Sequence, residues 1–351
     1  MRIVVTGATG NVGTSLVTAL GADPRVSDIV GIARRRPRLQ TPRTTWVSAD
    51  VATAPLTHLF RGADAVIHLA WLIQPSRDER TTHAVNVDGS RRVFAAAAAA
   101  GAGALVYASS VGAYSPGPDD RAVDESWPTE GTPTSFYSRH KVATERALDE
   151  IEAAHPALRV VRLRPALTFK RDAASGIRRL FAGPLLPSPL VRPGLLPILP
   201  LPAGLRVQGV HSADVAQAYR LVATDQRARG AYNVAADPVL DASSLGRALG
   251  ARTVDVPVGA VRVAAGLSFR ARLHPTPPGW LDMGMAVPIM DAGRIRRELG
   301  WTPRHRADAA LLELLGGMRD SAGVPTPPLD PRAGGPLRVR EFLTGVGARA
   351  V

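Results

Sequence analysis

Tyr137 and Lys141 have the residue types and the spacing of a proton-transfer pair. They stand four positions apart in the segment YSRHK, and on a helix that spacing places both side chains on one face. An ammonium group near a phenol stabilises the phenolate and lowers the tyrosine pKa. Tyrosine can then donate or accept a proton near neutral pH. Because this spacing also arises by accident, its weight depends on the motifs that precede it.

Two serines precede the pair, at the end of a predicted strand. Ser109 and Ser110 follow the apolar run at residues 104–108. The carboxyl end of a parallel strand is where doubly wound folds bind ligands. A hydroxyl there can donate a hydrogen bond to a substrate oxygen as charge develops on it. For Ser109, a capping or turn role is the alternative.

A glycine-rich turn lies close to the first residue. Gly7, Gly10 and Gly13 have the spacing GxxGxxG within TGATGNVG, between a predicted strand and a predicted helix. Glycine permits a tight turn and lets backbone N–H groups approach a pyrophosphate. The positive end of the helix dipole adds to that attraction. The turn therefore predicts a dinucleotide site, and an ordinary glycine-rich turn is the alternative.

The end of the second predicted strand bears on the choice of nucleotide. Enzymes specific for NAD usually place Asp or Glu there to bind the ribose hydroxyls. This sequence instead has Arg34, Arg35 and Arg36. A guanidinium group can bind a 2′-phosphate, so NADP is favoured and NAD remains the alternative. The alternative is that these arginines are only charges on the protein surface.

Composition excludes several classes of function. The 351 residues carry a net charge of +13 but contain no cysteine, which rules out disulfides and thiolate metal sites. The arginines are scattered, and no nucleic-acid-binding motif is visible. We therefore expect no nucleic-acid partner and no metal. Proline and glycine interrupt the apolar stretches, so we expect no membrane span. A strand that starts at once leaves no room for a signal peptide, which predicts a cytoplasmic protein.

The predicted elements alternate between strand and helix, which indicates an α/β protein of the Rossmann type with a doubly wound parallel sheet. Predicted strands lie at residues 3–6, 29–33, 45–48, 65–69, 104–108 and 159–163, and predicted helices at 11–20, 90–100 and 136–154. Residues 1–168 form the nucleotide-binding domain, to which 207–236 return. Residues 169–206 and 237–320 form an interleaved, smaller substrate-binding part. Residues 321–351, rich in Pro and Gly, are expected to be a loose tail.

The ordered set of motifs resembles the extended short-chain dehydrogenases/reductases, the NAD-dependent epimerase/dehydratase family. The similarity covers about the first 235 residues and recurs at the LGWTP segment near the end. It implies that Ser110, Tyr137, Lys141 and Asn86 are catalytic. Together with Arg34 and Arg35 from the end of the second strand, it gives a predicted set of cofactor-binding residues: Gly7, Gly10, Asn11, Val12, Gly13, Arg34, Arg35, Asp50, Val51, Leu69, Ala70, Tyr137, Lys141 and Pro165. A homodimer is also typical of this family.

Departures from the family pattern narrow the expected chemistry. Sugar dehydratases of the family carry Asp-Glu where this chain has Val111 and Gly112, which argues against dehydration. Epimerases typically carry an arginine where this chain has Val207. The segment at residues 183–205 is strongly apolar. These differences favour a less polar alcohol or ketone over a sugar nucleotide.

The leading hypothesis is an NAD(P)-dependent oxidoreductase acting on a small, fairly apolar alcohol or ketone. Tyr137 transfers the proton, Lys141 tunes it and holds the nicotinamide ribose, Ser110 polarises the carbonyl, and Asn86 orders the local water and backbone. One alternative is a nucleotide-sugar epimerase that uses the same residues. Another is a non-catalytic dinucleotide sensor, against which the intact Ser–Tyr–Lys set argues.

Overall fold

The computed structural model describes residues 1–183, 194–333 and 345–347. Its twelve strands in these ranges are β1 Arg2–Thr6, β2 Asp28–Ala33, β3 Thr44–Ser48, β4 Ala65–His68, β5 Ala104–Ala108, β6 Arg159–Pro165, β7 Leu167–Phe169, β8 Ile198–Pro202, β9 Arg206–His211, β10 Gly230–Val234, β11 Ala236–Asp241 and β12 Arg252–Val256. The α-helices in the same ranges are α1 Asn11–Gly21, α2 Thr57–Phe60, α3 Glu79–His83, α4 Gly89–Ala99, α5 Phe136–Ala154, α6 Ala174–Ile177, α7 Ser212–Thr224, α8 Ala242–Leu249, α9 Val258–Arg270, α10 Gly279–Ala286, α11 Gly293–Leu299 and α12 Ala307–Arg319.

Seven strands form one parallel sheet in the order β10-β6-β5-β4-β1-β2-β3. The strand order reverses between β1 and β4, because β2 and β3 extend the sheet on one side and β5, β6 and β10 on the other. Such a reversal opens a crevice at the carboxyl ends of the strands. The predicted Rossmann-type α/β fold is therefore confirmed.

The central strands are apolar because both faces of the sheet are covered. Ile3, Val5 and Ile67 belong to one buried cluster, with α1 and α7. Val4, Val66 and Leu105 belong to a second cluster on the other face, with residues of α4 and α5. Because apolar side chains are buried on both faces of the sheet, the carboxyl ends of its strands keep fixed positions.

Five of the strands after β6 form two smaller sheets, while β10 returns to the central sheet. Strands β11, β9 and β7 form one, and β12 and β8 pair in the other. Of residues 207–236, which were predicted to return to the nucleotide-binding domain, β9 lies in the three-stranded sheet and β10 in the central one. The predicted helix at 136–154 has the bounds of α5.

The prediction of a loose tail is wrong for residues 321–333. Thr326 is 1% exposed and Leu329 4%, and the backbone of Ala322 accepts a hydrogen bond from Ser175. Burial of these side chains and pairing of the backbone fix the segment. The remainder of the predicted tail, apart from residues 345–347, lies outside the described residues, as do residues 184–193 of the apolar segment.

Within the described ranges no helix has the length and apolarity to cross a membrane. The same ranges contain no group of three or more His, Asp and Glu side chains arranged to hold a metal ion.

Candidate active site

A cleft opens at the carboxyl edge of the central sheet, beside the β1–β4 reversal. It is lined by eight of the predicted cofactor residues, namely Gly7, Gly10, Arg34, Arg35, Asp50, Val51, Leu69 and Ala70. Nine further lining residues were not predicted: Thr9, Ile32, Ala33, Ala49, Trp71, Leu72, Val85, Pro327 and Pro328. The other predicted cofactor residues, Asn11, Val12, Gly13, Tyr137, Lys141 and Pro165, do not belong to the lining. The predicted turn, strand ends and fourth-strand segment thus meet in one place.

The three glycines of the turn have different structural reasons to be glycine. Gly7 has φ +71°, and a Cβ there would lie 2.6 Å from the backbone N of Ala70. A Cβ on Gly13 would lie 2.4 Å from the carbonyl oxygen of Gly7. These two residues therefore permit the close packing of the turn itself. A Cβ on Gly10 would meet nothing closer than 3.4 Å, and Gly10 faces the cleft.

The start of α1 offers unpaired polar groups at the same point. The helix begins at Asn11, after Gly10, and has no acidic residue in its first turn. Its first N–H groups and its dipole therefore favour an anion. The Asn11 side chain offers no free donor here, since its Nδ2 donates to the carbonyl of Thr168 at 3.0 Å and its Oδ1 is an acceptor only. This end of the cleft suits a pyrophosphate.

Helix α5 carries the predicted catalytic pair. Ser135 caps the helix, its Oγ accepting from the backbone N of Ser138. The Tyr137 hydroxyl hydrogen-bonds with Ser110. The Nζ of Lys141 donates to the carbonyl of Ala108 at 2.7 Å and lies 5.6 Å from the ring centroid of Tyr137. The structure thus brings Ser110, Tyr137 and Lys141 together at the end of β5.

The expected lowering of the tyrosine pKa does not occur in this structure. Burial raises the pKa of Tyr137 to about 12, and the hydrogen bond with Ser110 opposes that rise only in part. Burial also lowers the pKa of Lys141 well below its ordinary value, with Glu145 acting in the opposite direction. Desolvation is the largest cause of both pKa shifts. Tyr137 therefore retains its proton at neutral pH and is ready to act as an acid.

Aromatic side chains surround the Tyr137 ring. Trp71 lies edge-on to it at 5.8 Å between ring centroids, and Trp280 lies tilted against it at 4.8 Å. Phe181 contacts Trp280 edge-on at 5.0 Å. The Nζ of Lys141 stands 3.4 Å from the ring centroid of Trp71, a cation–π contact. The surroundings of the proton-transfer pair are thus apolar on two sides.

Trp280 reaches this position because α10 approaches α5 very closely. A Cβ on Gly279 would lie 2.2 Å from the carbonyl oxygen of Thr134, so only glycine fits at this crossing. The apolar segment at residues 183–205 had favoured a less polar substrate. In the described part of that segment, Leu196 and Ile198 are 57% and 55% exposed rather than packed at Tyr137.

Asn86 acts on the backbone that carries Trp71. It lies in a single π-helical turn, Ala84–Asp88, a local distortion often found at functional sites. Its Oδ1 accepts from the N–H of Leu72 at 2.7 Å, and its Nδ2 donates to the carbonyl of Leu72 at 2.8 Å. The fully buried Asn86 therefore fixes the segment after β4.

Ser109 belongs to a buried ion-pair network. Its hydroxyl donates to Glu145, and Arg164 forms a two-pronged bond with the same carboxylate at 2.9 and 2.6 Å. Burial opposes ionisation of Glu145, but the Arg164 guanidinium holds its pKa below the ordinary value. Arg164 also donates to the Tyr114 hydroxyl. This network ties β5, α5 and β6 together, so Ser109 is a structural residue. Pro165, the next residue of β6, pairs with Val234 of β10.

Comparison with known proteins places these features in context. Residues 3–235 match the model of the "NAD dependent epimerase/dehydratase family". An uncharacterized protein of Mycobacterium tuberculosis is 28% identical over 92% of this chain, and the chain spans 31% of that relative's length. The L-arabinose 1-dehydrogenase (NAD(P)(+)) of Haloferax volcanii is 36% identical over 46% of this chain and 65% of its own.

Solved structures agree with the fold. The UDP-glucose 4-epimerase of Thermus thermophilus, in complex with NAD, superposes with a TM-score of 0.66 at 20% identity, covering 91% of this chain and 99% of its own. A short-chain dehydrogenase/reductase superfamily protein of Agrobacterium tumefaciens, with bound NAD, gives 0.67 at 23% identity, over 91% and 98%. At these identities the likeness concerns the fold alone.

Proposed function

Because the chain belongs to the NAD dependent epimerase/dehydratase family, as its motifs predicted, we propose that it interconverts an apolar alcohol and the corresponding ketone with a nicotinamide cofactor. One observation carries the choice of substrate class. The ring of Tyr137, whose hydroxyl supplies the proton, contacts Trp71 and Trp280. A substrate carbon next to the reacting carbonyl would meet indole rings, which favours an apolar or aromatic substituent, and the unpaired Nε1 donors of these two residues could bind one acceptor on it.

The cleft residues fit a dinucleotide. Gly10 and the first N–H groups of α1 would receive the pyrophosphate, Asp50 and Val51 the adenine, and Leu69 and Ala70 the middle of the molecule. The nicotinamide cofactor, when bound, supplies or takes the hydride. The fit rests on the open space at Gly10 and on the start of α1, which has no acidic residue in its first turn.

The residues of this chain divide the proton chemistry among them. Tyr137, neutral because its pKa is about 12, donates its proton to the carbonyl oxygen during reduction. Ser110 hydrogen-bonds the same oxygen as negative charge develops there. Lys141, whose Nζ lies 5.6 Å from the Tyr137 ring centroid, is the residue that the YxxxK spacing predicts to tune this proton transfer and to hold the nicotinamide ribose. Asn86 contributes by holding Leu72 and hence Trp71 in position.

The two residues that follow Ser110 do not support a dehydration reaction. Val111 and Gly112 directly follow Ser110 in a short 3₁₀ turn, so no carboxylate stands there to remove a second proton. Epimerisation of a nucleotide sugar remains the alternative outcome of the test, since it would use the same Ser–Tyr–Lys set.

A substrate panel tests the proposed function. Ketones and alcohols with aliphatic or aromatic substituents are assayed with NADP(H) and NAD(H), beside UDP-sugars. We expect turnover of an apolar member and none of the UDP-sugars. Trp280→Ala should raise KM for the best ketone about two- to tenfold, the scale of losing one aromatic contact, and leave cofactor affinity unchanged. Turnover of UDP-sugars alone would replace this proposal by the epimerase.

Cofactor choice gives a separate prediction. Arg34 directly follows β2, lines the cleft and is exposed. Its carbonyl accepts from Ser48 at 2.8 Å, which fixes the backbone at the strand end. A charge-assisted bond to a 2′-phosphate corresponds to roughly 10- to 150-fold discrimination. We therefore expect tighter binding of NADP(H) than of NAD(H), and selective loss of NADP(H) affinity in Arg34→Ala combined with Arg35→Ala.

Parallel titration of both cofactors measures this difference. Arg36→Ala is the control, because it removes a neighbouring charge that does not line the cleft. Preference of the wild type for NAD(H), or equal loss of both cofactors in the double variant, would make Arg34 and Arg35 ordinary surface charges.

The homodimer and the cytoplasmic location expected from the sequence belong to this proposal as well. Sedimentation velocity tests the first and cell fractionation the second.

A further inference from the structure

Residues 322–330, here called the C-terminal strap, cross the cleft at the glycine turn. The Thr326 hydroxyl donates to the carbonyl of Thr9 at 2.9 Å, in a buried contact. The backbone N of Arg38 donates to the carbonyl of Pro325 at 3.3 Å. Pro327 and Pro328 line the same cleft as Thr9 and Gly10. The strap is thus fixed to the nucleotide-binding part at two points.

The other side of the strap is anchored to a different part of the chain. The Ser175 hydroxyl donates to the carbonyl of Ala322 at 2.8 Å, and Arg179 donates from Nη2 to the carbonyl of Pro328 at 2.5 Å. Leu329 is buried and lies against Gly176, where a Cβ would approach its Cδ2 to 3.1 Å. The strap therefore bridges the turn that follows β1 and the helical segment that follows β7.

The strap is stiff as well as anchored. Three prolines fix φ at positions 325, 327 and 328. The N–H groups of Leu329 and Asp330 both donate to the carbonyl of Thr326, at 3.0 and 2.9 Å. Because the strap is already ordered, it loses little conformational entropy when a ligand binds beneath it.

We propose that the C-terminal strap is part of the dinucleotide site and retains the cofactor by lying over its pyrophosphate. The proposal rests on the proposed function, since it takes the cleft to hold a dinucleotide. The carbonyl of Thr9 accepts the hydrogen bond from Thr326. Thr9 directly precedes Gly10, the residue with open space for a phosphate. A cofactor below the strap can leave only when contacts on one side of the bridge break. The strap would therefore slow dissociation of the cofactor without adding contacts to its adenine base.

Dissociation kinetics of the full-length protein test the strap directly. Bound NADPH is displaced by excess NADP⁺ in a stopped-flow fluorimeter. Thr326→Val keeps the size of the side chain and removes the hydroxyl. We expect dissociation about five- to tenfold faster, the scale of one intramolecular hydrogen bond. Thr224→Val is the matched control, since Thr224 Oγ1 donates to a backbone carbonyl at 2.9 Å at the end of α7, away from the cleft lining.

Hydrogen exchange of the wild type gives a second readout that needs no variant. Saturation with NADPH should slow exchange at the N–H groups of Leu329 and Asp330. Unchanged exchange there, or unchanged dissociation in Thr326→Val, would overturn the strap and leave the proposed function intact. Tighter NADPH binding in Thr326→Val would also overturn it, because the strap would then obstruct the cofactor. Failure of the wild type to bind either NADPH or NADH would overturn the proposed function itself.

Discussion

Replacing Tyr137 by phenylalanine should lower turnover about 10²- to 10⁴-fold, the usual scale for losing a positioned acid–base group. The ring packs against Trp71 and Trp280, so phenylalanine should occupy the same space. Only the hydroxyl bonded to Ser110 is lost. Steady-state kinetics with the best ketone measure the effect, and titration with cofactor should show unchanged affinity.

The pH dependence separates loss of proton transfer from general damage. Alcohol oxidation needs the Tyr137 phenolate, and with a pKa of about 12 the fraction of phenolate increases as pH rises below that value. Oxidation by the wild type should therefore accelerate with pH between about 7 and 9, and Tyr137→Phe should lose that rise. Tyr232→Phe is the control, because it removes a hydroxyl bonded to Glu298 at 2.7 Å on the edge strand β10. Near-normal turnover in Tyr137→Phe would remove this residue from the mechanism.

The fold was readable from the sequence because both faces of the central sheet are covered. Strands such as β5, with the sequence ALVYA, are then continuous apolar runs, and the glycine turn marks the reversal point. The small sheets were harder to predict. Of the five residues of β8, three are isoleucine or leucine and two are proline. This strand pairs with β12, far along the chain. Such pairings depend on long-range contacts rather than on local periodicity.

The motifs predicted the polar residues of the candidate site but not the aromatic residues packed beside them. Trp71 directly follows Leu69 and Ala70, so its position beside a segment expected to line the cleft was the one available signal. Trp280 carries no such signal, because its place depends on the close crossing at Gly279. The proline content of residues 321–333 suggested a loose tail, yet Thr326 bonds to Thr9, 317 positions away. Proline excludes regular helix without excluding order.

Substituting valine for Gly10 should abolish cofactor binding while leaving the protein folded. The backbone of Gly10, at φ −79° and ψ −175°, is extended, a conformation that valine readily adopts. A Cβ there has no neighbour closer than 3.4 Å within the protein. The branched side chain would instead fill the space in front of the first N–H groups of α1, where a pyrophosphate would bind.

Isothermal titration with NADP(H) and NAD(H), together with thermal unfolding, measures both halves of that result. Gly13→Val should behave differently, because its Cβ would lie 2.4 Å from the carbonyl oxygen of Gly7 and the turn itself would be disrupted, lowering the melting temperature. Gly266→Val makes the same change on α9, where a Cβ meets nothing within 4 Å, and should affect neither quantity strongly. A folded Gly10→Val protein with wild-type affinity for both cofactors would show that the space at Gly10 does not receive the dinucleotide, and the glycine turn would then be only a tight connection between β1 and α1.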